Sequence, residues 1–357
     1  MMEGPGAPRP GSLRRSGWRG AVARLLVAAV AAIALPAHGG PTLDHVRSVG
    51  RIRCGVVVTP EDWNKTDLHG PLAALDIQVC TAIAVAVNGA RSALDVVPFA
   101  SELEAEEGLS TAAVDLVVGV TPDATSMWHW KIAFGPPVLY DGLGILVRGD
   151  SSATTLADLA GYKVCVVEGT DNERVLLART VARGIRIVPL PFQEEGEMDD
   201  GLAVRHCDAI SAQRSRLAAI KGAYPKQLAR DRILPELLTL SPVAPAYRRD
   251  DPEWSMIVDW TVHALIQAEA SGVTRANVAA QRASEDPVVQ RLLGADWATS
   301  RALSLPAHDW AATVIATVGN YGEIYDRTLG DDSPLRLPRG LNALWSSGGL
   351  MRPLPVQ

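Results

Sequence analysis

Short apolar runs of strand length alternate with segments whose apolar residues recur at helical spacing, and this alternation most constrains the fold. Strands are predicted at residues 51–58, 94–98, 114–118, 163–167, 185–190 and 208–211, with a longer extended segment at 139–147. Helices are predicted at residues 75–87, 156–161, from 170 onward and at 254–270. Strands that alternate with helices predict an α/β protein with mostly parallel sheets.

The second alternating block is inserted in the first, which predicts two lobes joined by two extended crossings. We expect residues 41–142 and 243–357 to form lobe 1 and residues 143–242 to form lobe 2. The crossings fall at residues 140–143 and about 242–247, where hinge closure would occur. A ligand of such a fold lies at the carboxyl ends of the strands, in the cleft between the lobes.

Residues 1–40 have the order of a secretory signal peptide, because four arginines precede the apolar run 25–35 and small residues follow it. The run is short for a membrane span, although an uncleaved anchor is an alternative. Arg14 and Arg15 also allow a twin-arginine signal, which the following Gly17 and Trp18 disfavour. We therefore expect cleavage between Ala37 and Pro41 and a mature protein that works outside the cytoplasm.

The mature chain is acidic. The whole chain has a net charge of −6, and residues 1–40 contain five Arg and one Glu, so the remainder stands at −10. Such a charge argues against nucleic acid and anionic membranes as partners and leaves a small-molecule ligand open. The sequence has no nucleophile elbow, no phosphate-binding glycine loop and no His-Glu-x-x-His motif, so neither catalysis nor a cofactor or metal is expected.

Four cysteines, at positions 54, 80, 165 and 207, allow three disulfide pairings in an oxidising compartment. We favour Cys54–Cys80 with Cys165–Cys207, because each bond then lies within one lobe. Each would add about 3–4 kcal/mol of stability in the chain-entropy account. Buried free thiols are the alternative.

The chain resembles the periplasmic amino-acid-binding proteins of bacterial ABC importers, in the general, polar L-amino-acid branch of solute-binding family 3. The matching segments are residues 42–46, 53–56, 140–142, 165–170, 205–208, 318–325 and 339–345. All four cysteines fall where this branch has them. The resemblance implies a two-lobed periplasmic-binding-protein fold of type II, with parallel-rich sheets flanked by helices. It also implies a monomer that delivers an amino acid or related solute to an ABC permease in the inner membrane.

The ligand-binding residues of lobe 1 depart from this family. Its members clamp an amino-acid α-carboxylate with an Arg and with a Thr or Ser five residues earlier. Here the Arg position falls on Met127, or on Ser126 if the alignment gap moves by one residue. Pro122 takes the Thr position, although Thr121 is adjacent. The resemblance thus implies a site without the guanidinium fork that binds a carboxylate.

Lobe 2 departs in charge as well. The Gly-Thr-Thr turn of the family is retained as Gly169 and Thr170, but Asp171 follows and would repel a carboxylate. The position of the Asp that holds the α-ammonium falls on Gln213, which is neutral. Since each charged hydrogen bond contributes about 1.5–3 kcal/mol, the two lost anchors predict weak binding of ordinary zwitterionic amino acids.

Other side chains could compensate for the lost anchors. A replacement cation could come from Arg214, Arg216, Lys131 or Lys65, although each also reads as an ordinary surface charge. Residues 128–130 add two tryptophans beside the missing Arg, and either line the cleft or pack the lobe. Trp63 lies where the family often stacks an aromatic ring on the ligand. Asp76 is interpreted as the cap of the helix that follows it.

Two alternatives to transport remain open at this point. The first is a diverged module of the same fold that senses a ligand without transporting it. The second is a periplasmic enzyme resembling the dehydratases related to this family, for which Glu168, Asp171 and His129 are the candidate acid–base groups.

Overall fold

The computed structural model describes residues 1, 2, 4, 6, 40–58, 72–89, 93–295 and 297–356. The predicted signal segment, Trp63 and Lys65 lie outside the described residues. The chain divides into two units, Met1–His38 and Gly39–Gln357, and the fold below is that of the second unit.

The first sheet combines parallel strands with antiparallel strands contributed by later parts of the chain. Its members are β1 (Arg51–Val57), β2 (Ala93–Phe99), β3 (Leu116–Val120), β4 (Ile132–Phe134), β5 (Leu139–Asp141) and β11 (Ser241–Arg248). Strand β1 pairs in parallel with β2 and β3, whereas β11 runs antiparallel to β3, β4 and β5. The strand order is β2-β1-β3-β11-β4, with β5 also on β11.

The second sheet is built entirely from the chain segment between β5 and β11. Its members are β6 (Leu143–Val147), β7 (Lys163–Val167), β8 (Val188–Phe192), β9 (Ala209–Gln213) and β10 (Arg232–Ile233). Strand β7 pairs in parallel with β8 and β9, whereas β6 runs antiparallel to β9 and β10. The strand order is β10-β6-β9-β7-β8. Each sheet is therefore mixed, with parallel pairs complemented by antiparallel ones.

Helices are distributed along the chain between and after these strands. The α-helices are α1 (Pro41–Val49), α2 (Ala73–Asn88), α3 (Glu102–Ser110), α4 (Ala124–His129), α5 (Asp171–Ala182), α6 (Glu195–Ala203), α7 (Arg214–Ala223), α8 (Pro252–Ala270), α9 (Val278–Gln281), α10 (Pro287–Leu292), α11 (Ala298–Ala302), α12 (Trp310–Val318) and α13 (Tyr321–Thr328). Short 3-10 turns occur at Leu156–Leu159, Gly340–Asn342 and Trp345–Ser347.

Helices cover both faces of each sheet. Since successive strand residues point to opposite faces, one strand contributes to two apolar clusters. In β3, Leu116 and Val118 join the cluster that includes α2, whereas Val117 and Val120 join the cluster with Leu109 of α3. The second sheet divides in the same way, with β6 residues in two separate clusters. The α/β fold class predicted from the alternation is confirmed.

The crossing between the sheets requires a glycine. The predicted extended segment 139–147 is broken at Gly142, so that β5 belongs to the first sheet and β6 to the second. A Cβ at position 142 would lie 2.1 Å from the carbonyl oxygen of Thr239 in the return crossing. The hydroxyl of Thr239 accepts a hydrogen bond from the N–H of Leu143 at 2.8 Å. The two crossings are thus in direct contact, and the lobe boundaries stay a prediction.

Both predicted disulfides are confirmed. Cys54 of β1 is bonded to Cys80 of α2, and Cys165 of β7 is bonded to Cys207 just before β9. Each bond therefore joins elements of one sheet and its flanking helix or loop, which is the arrangement favoured from the sequence.

Two local predictions were wrong. The strand expected at 185–190 is instead Val188–Phe192, because its register is set by parallel pairing with β7. Asp76 does not cap α2, which begins at Ala73, so this carboxylate lies inside the first turns of the helix.

Candidate functional site

The carboxyl ends of β3 and β9 both lie next to the crossings. Gln213, the last residue of β9, pairs with Leu143, the first residue of β6. Val120, the last residue of β3, pairs with Ala244 near the beginning of β11. The segments that follow β3, β7 and β9 contain Thr121, Gly169 and the start of α7 respectively, and they are the strand ends at which α/β proteins bind ligands.

On the first sheet, a carboxylate of the chain already occupies the hydrogen-bond donors of Thr121. The backbone N–H of Thr121 donates to Oε2 of Glu102 at 3.1 Å, and its hydroxyl donates to Oε1 at 3.2 Å. Both donors of Thr121 thus hold the two oxygens of one carboxylate.

Asp76 adds a second carboxylate at the same strand end. It is 8% exposed, and its Oδ2 would lie 2.4 Å from a Cβ at position 119. Gly119 also has a φ of +95°, a conformation that side chains disfavour, so glycine suits both the backbone and the space here. Burial, reinforced by the nearby charge of Glu102, raises the pKa of Asp76 to about 7.

Helix α4 continues this acidic character. Asp123 caps it by accepting hydrogen bonds from the N–H groups of Thr125 and Ser126, and hydrogen bonding to Ser126 lowers the pKa of Asp123. The hydroxyl of Ser126 donates to Glu106 at 2.6 Å, and burial raises the pKa of Glu106. Met127, at the position aligned with the family's Arg, is 37% exposed and brings no charge.

On the second sheet, helix α5 begins with an intact cap. The hydroxyl of Thr170 accepts a hydrogen bond from the N–H of Glu173 at 3.2 Å and donates one to the carbonyl of Val167 at 2.8 Å. The carboxylate of Glu173 accepts the N–H of Gly169 at 2.7 Å. The spacing of Thr170 and Glu173 thus produces the predicted helix start. The carboxylate of Glu173 accepts the N–H of Gly169, whereas a complete capping box would have it accept the N–H of Thr170.

Asp171 is highly exposed at the start of α5. Its carboxylate forms an ion pair with Arg174 one turn later, and Arg174 also donates to the carbonyl of Gly169 at 3.1 Å. Both side chains of the pair are exposed, at 87% and 66%, so the pairing is weak. The repulsion of a carboxylate by Asp171 stays a prediction.

Gln213 and Arg214 occupy the crossing side of the second sheet. The Oε1 atom of Gln213 is buried and accepts no hydrogen bond within the described part of the chain. The N–H of Arg214 donates to the carbonyl of Gly142 at 2.9 Å. Next to it, Asp141 accepts hydrogen bonds from both the N–H and the hydroxyl of Ser215, at 3.3 Å and 2.5 Å. The start of α7 is thereby fastened to the first crossing.

Two of the three described candidates for a replacement cation have partners of their own, and Arg214 differs from them. Its Nη1 atom lies 3.5 Å from where a Cβ of Gly340 would be, and its buried Nε donates no hydrogen bond within the described part of the chain. Arg216 pairs with Asp199 at 2.6 Å and with Glu195 at 3.4 Å. Lys131 lies 5.3 Å above the ring of Trp128, which is itself 72% exposed.

The three candidate acid–base groups do not share contacts among the described residues. Glu168 accepts a hydrogen bond from Gln193, and Asp171 pairs with Arg174. His129 packs edge-on against Trp130, with ring centroids 4.4 Å apart, at the end of α4.

Sequence reasoning missed the contact of Glu102 with Thr121 and the burial of Asp76 beside Gly119. Glu102 is 19 residues from Thr121 and on another element, so its contact depends on how α3 packs against β3. A partial signal was present, because α3 carries four Glu residues in nine.

Two mixed sheets joined by two touching crossings define a two-lobed solute-binding protein. No protein-family model matches the chain. It is 33% identical to the general L-amino acid-binding periplasmic protein AapJ of Rhizobium johnstonii, over 92% of this chain and 97% of that protein. It is 31% identical to the glutamate/glutamine/aspartate/asparagine-binding protein BztA of Rhodobacter capsulatus, over 92% and 97%. The chain therefore belongs to the family of periplasmic amino-acid-binding proteins of ABC transporters.

A solved structure supports the same assignment. The periplasmic binding protein of an ABC transporter from Brucella ovis, with glutathione bound, is 30% identical in sequence and superposes with a TM-score of 0.76. The match covers 90% of this chain and all of that chain. Both lobes of the fold are thus included in the similarity.

Proposed function

We propose that the protein is the periplasmic solute-binding component of an ABC importer, and that it presents a bound solute to the permease in the inner membrane. The observation that carries this proposal is similarity along nearly the whole chain to binding proteins of such transporters. We further propose that it acts as a monomer, and that it is a binding protein, like its named relatives, rather than an enzyme. None of the helices in the described part of the chain has the length and apolar character of a membrane span.

The solute would bind where the strand ends of the two sheets meet the crossings. We propose that Thr121, Met127, Gly169, Thr170, Asp171 and Gln213 line this site, and that Trp63, which lies outside the described residues, also contributes to it. Closure would pivot about Gly142 and Thr239, where the two crossings touch.

A thermal-shift screen of the mature protein, from residue 41 onward, against amino acids, amides, amines and small acids tests solute binding. A solute at 100 times its Kd should raise the free energy of unfolding by about 2.7 kcal/mol. The bound protein should then stimulate the ATPase activity of its permease complex, and small-angle scattering should show compaction on binding. Conversion of the bound solute into a product, or binding without ATPase stimulation, would contradict the transport function.

A further inference from the structure

We infer that residues 334–342 restrain the hinge by joining the first crossing to helix α7, and that they limit how far the two halves of the fold separate. We call these residues the brace. The first half is the first sheet with its helices, and the second half is the second sheet with its helices, including α7. This inference rests on the proposed function, because a restrained hinge matters only in a protein that closes on a solute.

Helix α7 is packed into both halves. Leu217 and Ile220 belong to an apolar cluster of the second half, whereas Ala218 belongs to the large apolar cluster of the first half. All three residues are buried. Because apolar surface is costly to expose, α7 has to keep both contacts while the halves move. The rotation of the hinge therefore takes place beside α7.

The brace lies along the face of α7 that points to the first half. Arg214, Ala218 and Gly222 are spaced four residues apart and so share one face of the helix. A Cβ at position 222 would lie 3.7 Å from Cδ2 of Leu335, and Nη1 of Arg214 lies 3.5 Å from where a Cβ of Gly340 would be. The brace thus contacts α7 near both of its ends.

Asn342 fastens the brace to the first crossing. Its Oδ1 accepts a hydrogen bond from the N–H of Tyr140 at 2.6 Å, and its Nδ2 donates one to the carbonyl of Tyr140 at 3.0 Å. The side chain is buried, at 5% exposure. The next residue, Asp141, accepts hydrogen bonds from Ser215 of α7. Neighbouring residues of the crossing therefore bind the brace and α7.

Arg339 anchors the brace to the first half. Its Nη2 atom lies 3.0 Å from Oε1 and 3.1 Å from Oε2 of Glu269 in α8, and it donates to the carbonyl of Asn342 at 2.8 Å. The guanidinium carbon lies 4.9 Å from the ring centroid of Tyr325 in α13. Since the brace is fixed to the helices of the first half, the second half has to turn against it when the hinge moves.

Pulsed dipolar spectroscopy of the full mature protein without solute tests this inference. Spin labels are attached through Ala124→Cys on α4 and Ala178→Cys on α5, two exposed positions in different halves. In this background, Asn342→Ala should raise the population of long distances between the labels about tenfold, because it removes two buried hydrogen bonds that hold the crossing to the brace. Unchanged or shorter distances would overturn the inference.

Asn320→Ala is the matched control. Asn320 is equally buried, and its side chain also makes two hydrogen bonds with the main chain, to the carbonyl of Val273 and from the N–H of Glu323, both within the first half. Asn320→Ala should therefore lower stability without lengthening the label distances. Equal lengthening in Asn320→Ala and Asn342→Ala would show a general loosening of the fold and would refute the brace.

A second pair of variants decides the question if Asn342→Ala does not fold. Leu335→Ala removes the contact of the brace with α7, whereas Leu329→Ala removes a leucine of the same apolar cluster outside the brace. Only Leu335→Ala should lengthen the label distances, and equal distances in the two variants would overturn the inference. Failure of the transport proposal would instead appear as absent ATPase stimulation with any bound solute, which these solute-free distances do not involve.

Discussion

The two sheets present their strand ends in contrasting ways. At the end of β7, the site residues are held by backbone and capping hydrogen bonds, with Gly169 and Thr170 in a well-formed helix start. At the end of β3, the corresponding region is defined by side-chain carboxylates, those of Asp76 and Glu102. One strand end is thus shaped mainly by main-chain hydrogen bonds and the other mainly by acidic side chains.

This contrast separates two kinds of contribution to binding. A helix start offers backbone N–H groups that remain whatever the side chain, proline excepted. A charged anchor depends on a single side chain, and its replacement changes the local charge without removing the backbone N–H groups. We predict that the departures at Met127 and Gln213 weaken the binding of ordinary amino acids in this way.

The largest expected effect is on stability, at Asp76. A carboxyl group with a pKa near 3.9 in the unfolded chain and about 7 when folded binds its proton more tightly in the folded state. Stability should therefore fall as pH rises from about 4 to about 7, by up to about 4 kcal/mol. Asp76→Asn should remove this loss, raising the free energy of unfolding of the ligand-free protein at pH 8 but not at pH 4.

Urea unfolding across this pH range measures the effect. Glu107→Gln serves as the control, because Glu107 is exposed on α3 and its removal should leave the pH dependence unchanged. If Asp76→Asn and the unsubstituted protein show parallel stability curves, Asp76 is not the group responsible.

The next effect is on affinity, and it tests whether the β3 end can be returned to the family's chemistry. A variant combining Glu102→Gln, Met127→Arg, Asp171→Thr and Gln213→Asp should bind glutamate about a hundredfold more tightly than the unsubstituted protein, since it restores two charged hydrogen bonds. Calorimetry with glutamate, glutamine, aspartate and asparagine checks this. The control replaces Met127→Arg by Leu103→Arg, which adds the charge at an exposed position of α3.

Two outcomes would count against this account. Micromolar binding of any of the four amino acids by the unsubstituted protein would show that the anchors are not needed. Equal gains in the variant and its control would show that net charge, rather than the position of the Arg, determines the affinity.

A smaller effect is expected at the second sheet, where Thr170 is mainly structural. Thr170→Ala should lower the free energy of unfolding by about 1 kcal/mol, because it removes the oxygen that caps α5. Thr170→Ser keeps that oxygen and should retain most of the stability in thermal unfolding. A loss of solute binding with full stability would assign Thr170 to the ligand rather than to the helix.

The smallest effect is expected at Asp171. Its pair with Arg174 is exposed on both sides, so Asp171→Asn should leave the melting temperature unchanged. Arg174→Gln is the matched change on the partner. A drop in melting temperature for either variant would show that this ion pair supports the start of α5.

The fold was largely predictable from the sequence, and the site was not. The apolar runs of β1 and β7 could be predicted as strands, because strands buried on both faces consist of continuous apolar residues. The disulfides could be predicted because each pair of cysteines lies within one half of the fold. The sequence predicted a crossing at residues 140–143 but one extended segment at 139–147, and the division of that segment into β5 and β6 at Gly142 was not predicted, because both flanking segments are equally apolar. The contact between Glu102 and Thr121 depends on tertiary packing, which periodicity does not report.

The chain segment that forms the second sheet is inserted in the segments that form the first, and this order affects how the chain folds. All five strands of the second sheet, together with Cys165 and Cys207, precede β11, which supplies the first sheet with its antiparallel strand. If the chain emerges amino terminus first, the second sheet can fold and form its disulfide before residues 241–248 are available to complete the first sheet. We therefore expect the inner half to serve as a scaffold around which the outer half is completed last.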